Sequence, residues 1–289
     1  LKTWASEGVD RTGLEADWSS AQVVNSVASY CNKTVVITHS AGLNIMPWAK
    51  NPNVTAILAA HLPGQESGNS IVDVLYGVVN PSGRLPYTIP LNESQYSFAR
   101  ITNSTRLLNT EDPNAWQSNF TEGSLIDYRY FDYFNESVAF EFGFGLSYTT
   151  FDMSNLGVES MIEGTIPAAP DPVPIAPGGN PELWQILFMV NITVTNTGSV
   201  AGAAVPQLYV SLNQIKGSSP TVVRALRGFS KVSLQPGEQQ VVRFGLMRRD
   251  VSYWNTTSQQ WIIAPGQIGV SVGFSSRDLR LHTAIGVLG

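Results

Sequence analysis

The first ninety residues alternate between two apolar periods. Within residues 15–30, Val23, Val24, Val27 and Ala28 share one face at the helical period, which predicts an amphipathic helix. The β-branched run Thr34-Val35-Val36-Ile37-Thr38 predicts a strand buried on both faces. Residues 53–62 predict a second strand, stopped by Pro63-Gly64. Residues 66–77 predict a helix that Gly77 ends as a C-terminal cap. The turn Asn80-Pro81-Ser82-Gly83 leads into a further predicted strand over 84–89. Repetition of strand, helix and strand builds a parallel sheet with helices on its faces.

Residues 91–150 are polar and aromatic with little periodicity, and read as a long loop, functional or packed over another surface. Residues 163–182 are rich in Pro, Gly and Ala and mark a linker or extended arm. Beyond Trp184 only short strands follow, over 187–195, 205–211, 241–246, 260–263 and 267–273. Turns separate them at Gln235-Pro236-Gly237-Glu238 and Ala264-Pro265-Gly266. That spacing predicts a β-sandwich of immunoglobulin or fibronectin type, and the lack of a cysteine pair favours the fibronectin variant. The expected organisation is an α/β sandwich (a mostly parallel sheet flanked by helices) over 1–150, a Pro/Gly-rich linker over 151–182, and an all-β fibronectin type III-like sandwich over 183–289.

Composition narrows the function. The 289 residues are 43% hydrophobic and 13% charged, with a net charge of −5. The chain is therefore globular, and without a basic stripe it does not read as a nucleic-acid binder. No stretch reaches the roughly 18 apolar residues of a membrane span. The single cysteine, Cys31, lies beside an apolar run and is expected as a buried core thiol. The opening Leu1-Lys2-Thr3-Trp4 has no initiator Met and no basic n-region, and reads as a start within a larger protein. Glycosylation sequons at Asn32, Asn53, Asn92, Asn103, Asn119, Asn135, Asn191 and Asn255 favour a secreted, extracellular protein with N-linked glycans on a subset of them. His39 and His61 end predicted strands without metal-ligand spacing, so packing or hydrogen bonding is their expected role. No cofactor is expected.

Several motifs resemble one family. Leu62-Pro63-Gly64-Gln65-Glu66-Ser67-Gly68-Asn69, then Asp73-Val74-Leu75-Tyr76-Gly77 and Asn80-Pro81-Ser82-Gly83-Arg84-Leu85-Pro86, resemble the α/β-sandwich domain of family-3 glycoside hydrolases. So do Asp127-Tyr128-Arg129-Tyr130-Phe131-Asp132 and Phe140-Glu141-Phe142-Gly143-Phe144-Gly145-Leu146-Ser147-Tyr148-Thr149. Pro206-Gln207-Leu208-Tyr209, Leu226-Arg227-Gly228-Phe229, Arg248-Arg249-Asp250-Val251-Ser252 and Gly273-Phe274-Ser275-Ser276-Arg277-Asp278 resemble the family's fibronectin-type-III-like domain. The motif ending in Tyr148-Thr149 places small residues between aromatics, which suits docking rather than chemistry.

The resemblance implies a retaining β-glycosidase with two carboxyl groups roughly 5–5.5 Å apart. The aspartate nucleophile belongs to a (β/α)8 barrel that this chain does not contain. The acid/base implied here is Glu7, in Trp4-Ala5-Ser6-Glu7-Gly8-Val9-Asp10-Arg11. Relatives place an aromatic stretch between Gly and Asp-Arg; here Asp10-Arg11 follows closely, so the loop is shorter and its aglycone contacts are open. Trp4 could exclude water or stack on a sugar, and Ser6 and Arg11 are further substrate-side candidates. Asp17-Trp18, on the predicted helix, and Glu66, at a helix start, are rejected as the catalytic carboxyls. Oligosaccharides ending in β-glucose are the expected substrates, with β-xylosides or xyloglucan oligosaccharides next, and this chain alone is expected to be inactive. A homodimer is left open. The rival class is a non-catalytic secreted carbohydrate-binding or adhesion module.

Overall fold

A computed structural model describes residues 13–99, 122–174, 176–213 and 221–287. They fall into two compact units, one built from residues up to 78, 87–123 and 137–140, the other from 79–86, 124–136 and 141–289.

In the first unit, α1 (Ser20–Tyr30) leads to β1 (Thr34–Thr38), which pairs in parallel with β2 (Val54–Ala59). Asn53 ties the helix to the sheet by donating Nδ2–H to the Ala28 carbonyl at 2.8 Å. The helix starts later than residue 15. Trp18 and Ser19 have left-handed backbone, and Asp17 sits in the preceding turn, not on the helix. Ala28 is fully buried, whereas Val23 and Val27 are exposed. The expectation that β1 is buried on both faces is also corrected, since Val35 is 46% exposed between buried Thr34 and Val36. Among the described residues nothing covers the face of β1 that carries Val35. Cys31, where α1 ends, is also exposed rather than a core thiol.

The helix α2 (Ser67–Leu75) ends as expected. Tyr76 N–H donates to the Val72 carbonyl, and Gly77 follows at φ 76°, a conformation that costs glycine nothing. Of the strand expected over 84–89 only its end survives, as β3 (Ile89–Pro90), antiparallel to β4 (Val138–Phe140). Pro86 and Pro90 supply no N–H, so a continuous ladder cannot form.

The second unit contains α3 (Tyr128–Tyr133) and a sandwich with one continuous hydrophobic core. Its three-stranded sheet has β6 (Ile186–Asn196) between β5 (Phe151–Ser160) and β11 (Gln239–Met247). A four-stranded sheet runs β15 (Leu279–Val287), β14 (Gly266–Gly273), β8 (Gln207–Ser211), β9 (Ala225–Phe229). Two small pairs complete it: β7 (Gly202–Ala204) with β10 (Val232–Leu234), and β12 (Ser252–Asn255) with β13 (Gln260–Ile263). Leu187, Val190, Ile192 and Val194 of β6 face Leu208 and Val210 of β8 and Ile268, Val270 and Val272 of β14 across the core.

Two sequence expectations change here. Residues 151–160, assigned to the linker, are strand β5, paired along β6. The Pro/Gly-rich stretch therefore joins two strands of one sandwich. It is tied to the sandwich, with Ile263 N–H donating to the Ala168 carbonyl at 2.8 Å and Met161 N–H to the Leu187 carbonyl at 2.8 Å. Parts of the expected 91–150 loop also belong to this unit. Tyr128 stacks on Phe142 at 4.6 Å and accepts Leu226 N–H at 2.9 Å. Gln207 donates to the carbonyls of Gly143 and Phe274, and accepts from the Tyr209 hydroxyl at 2.6 Å. Asp132, almost fully buried, lies between Arg277 at 3.1 Å and Arg224 at 3.4 Å. Burial raises its carboxyl above the ordinary value, and the two guanidinium groups oppose that. Tyr128, Phe142 and Gly143 of these motifs are thus packing elements of this unit.

Candidate functional site

Parallel strands end together, and ligands of α/β sheets gather outside their carboxyl ends. Here Thr38 and Ala59 end β1 and β2 side by side, joined by Ala60 N–H donating to the Thr38 carbonyl at 2.9 Å. The two following loops are stitched as well, since Ser40 N–H donates to the His61 carbonyl at 3.2 Å. A cleft of about 250 Å³ opens at this end. Glu15, Ser20, Thr38, His39 and Asn44 give it polar lining, over a floor of Ile45, Met46 and Trp48.

Glu93, in the 3-10 turn Glu93–Ala99, fixes how the chain enters this cleft. Its Oε2 accepts Leu14 N–H at 3.1 Å, while the Leu14 carbonyl accepts Ile45 N–H at 3.0 Å. Leu14 is buried, and with both its N–H and its carbonyl bonded the chain is clamped at this residue. No periodicity or motif pointed to Glu93, because its partner is a backbone N–H 79 residues away.

Trp4, Ser6, Glu7 and Arg11 lie outside the described residues, as do Asn103 and Asn119. Of the two histidines, His39 lines the cleft and is exposed, whereas His61 packs edge-on against Tyr87 at 5.6 Å. Glu66 is exposed at the start of α2 and accepts from Asn69 Nδ2 at 2.7 Å rather than capping a backbone N–H. Among the described residues no three His, Cys, Asp or Glu side chains converge as metal ligands.

The remaining sequons differ in access. Asn32, Asn92 and Asn135 are exposed in turns. Asn53 is half-buried against α1, and Asn255 sits at the tip of the β12–β13 hairpin, where its Oδ1 accepts Thr257 and Ser258 N–H. Asn191 lies in the middle of the central strand β6, with its Oδ1 buried and unpartnered.

Comparison with known proteins places these features. The model of the glycosyl hydrolase family 3 C-terminal domain matches residues 1–148, and that of a fibronectin type III-like domain matches residues 204–276. The chain is 56% identical over 285 residues to "Probable beta-glucosidase G" of Aspergillus flavus, covering 99% of this chain and 34% of that protein. It is 47% identical to "Probable beta-glucosidase M" of Aspergillus niger, over 97% of this chain and 35% of that one. Among solved structures, beta-D-glucoside glucohydrolase from Trichoderma reesei superimposes with a TM-score of 0.83 at 39% identity, covering 98% of this chain and 38% of that one. The chain thus spans about a third of the length of the curated relatives it matches. It belongs to glycosyl hydrolase family 3, as that family's C-terminal domain followed by a fibronectin type III-like domain.

Proposed function

We propose that this chain is the C-terminal portion of a secreted, retaining β-glycosidase that removes terminal β-D-glucose from oligosaccharides. Its contribution to the reaction is the carboxyl of Glu7. A (β/α)8 barrel outside this chain supplies the aspartate nucleophile. The observation that carries the reading is the clamp on Leu14: seven residues after Glu7, the chain is held by Glu93 and Ile45, and Ile45 lines the cleft at the carboxyl end of β1. The names of relatives 56% and 57% identical to it support a glucoside substrate.

In this mechanism protonated Glu7 donates its proton to the glycosidic oxygen as the aspartate attacks the anomeric carbon. The bond to the leaving alcohol breaks, and a glycosyl-aspartate forms. Ionised Glu7 then takes a proton from water, whose oxygen displaces the aspartate and restores the original configuration. Gly8 beside the acid gives the loop freedom to present the carboxyl. In the complete protein, Glu7→Gln should slow cellobiose hydrolysis by about 10²–10⁴-fold, the usual contribution of a general acid. Glycosylation of 2,4-dinitrophenyl β-glucoside, whose leaving group needs no proton, should be nearly unchanged. Normal cellobiose turnover by this variant would refute the assignment.

A further inference from the structure

The fibronectin-like unit carries a groove of about 530 Å³, within the range of small-molecule sites. The Pro-rich arm forms one wall through Ile162, Ile166 and Pro167. The other wall is the 3-10 turn Pro181–Trp184, with Glu182 and Gln185 along it. Arg248 lies at the base and is 3% exposed.

That arginine is poorly satisfied. Its Nη1 donates to the Pro167 carbonyl at 2.7 Å, and its Nε is buried without a partner. Its Nη2 lies 3.8 Å from Glu182 Oε2, which is beyond hydrogen-bond reach. Buried guanidinium groups normally use more of their five donors. A hydroxyl placed between the two side chains would accept from Arg248 and donate to Glu182, satisfying both.

The lining also selects charge. Arg248 contributes one positive charge, and Glu182 and Asp171 contribute two negative ones, so an anion is disfavoured. A cation would have to sit beside the buried guanidinium. The ligand that fits is neutral, carries several hydroxyls for Glu182, Gln185 and Arg248, and has an apolar face for the isoleucine and proline wall. A pyranose has those properties. We propose that this groove binds a saccharide unit, which gives the fibronectin-like unit a carbohydrate-binding site of its own.

The test uses the complete protein carrying Glu7→Gln, with cellotetraose as probe and glycerol as control. A crystal soaked in cellotetraose should show a sugar ring between the arm and the 3-10 turn, with a hydroxyl bridging Arg248 and Glu182. Titration calorimetry should lose that binding event when Glu182→Gln or Gln185→Ala is added, with Kd raised about tenfold or more. Both side chains are half-buried or exposed, and an unchanged melting temperature confirms that the variants fold. An empty groove in the soaked crystal, or unaltered binding by both variants, overturns the proposal. Failure of the Glu7 assignment would show separately, as glucose release during the titration.

Discussion

Glu93 Oε2 accepts the backbone N–H of Leu14 at 3.1 Å, joining a turn after β3 to the segment that follows Glu7. Under the proposed role of Glu7, seven residues before Leu14, this anchor bears on where the acid is held, and small misplacements of an acid are expensive in rate. In the complete enzyme, Glu93→Ala should lower kcat for cellobiose by about 10- to 100-fold with little change in KM. Glu93→Gln keeps an acceptor oxygen and should stay near wild type. The burst of dinitrophenol from 2,4-dinitrophenyl glucoside separates positioning from damage, because glycosylation by this substrate needs no proton and its rate should be spared by Glu93→Ala. Equal slowing on both substrates would show general disruption.

The contact of Gly143 with Gln207 predicts a stability effect. Gly143 has φ 81°, and a Cβ there would lie 2.2 Å from Gln207 Oε1. Gly143→Ala therefore meets both backbone strain and a collision with a buried amide. Gln207→Ala leaves the carbonyls of Gly143 and Phe274 without their donor. Each change should cost about 2–3 kcal/mol, read as a lower denaturant midpoint. A midpoint within a few tenths of a kcal/mol of wild type would mean that this network contributes little.

Sequon geometry predicts glycan occupancy. Peptide mapping by mass spectrometry of the protein secreted from a eukaryotic host should find glycans on Asn32, Asn92 and Asn135, which lie exposed in turns. Asn191 should be bare, because a glycan in mid-strand would need room around an amide whose oxygen is buried. A glycan on Asn191, or bare asparagines at all three turns, would contradict this ranking.

Much of the fold was legible because local signals were strong. β13 spans the expected 260–263, β6 exceeds its expected bounds by one residue at each end, and Gly77 ends α2. Strand β5 was hidden because only Met153 is buried in it, and left-handed Asn155 and a register break before Gly157 interrupt its alternation. The burial expected of Cys31 and Val35 failed because an apolar run reports what a strand can bury, not whether a neighbour covers it. Motif resemblance pointed to Glu7, which lies outside the described residues, whereas the clamp by Glu93 is a long-range contact to backbone that leaves no pattern in sequence.

Chemical rescue tests the account most directly. In the complete enzyme, Glu7→Ala should form the glycosyl-aspartate from 2,4-dinitrophenyl β-glucoside and then stall, because no base remains to activate water. Added azide needs no such base and should restore turnover, giving β-glucosyl azide with retained configuration. Unchanged rates with azide, or an α-configured azide product, would contradict Glu7 as the acid/base of a retaining enzyme.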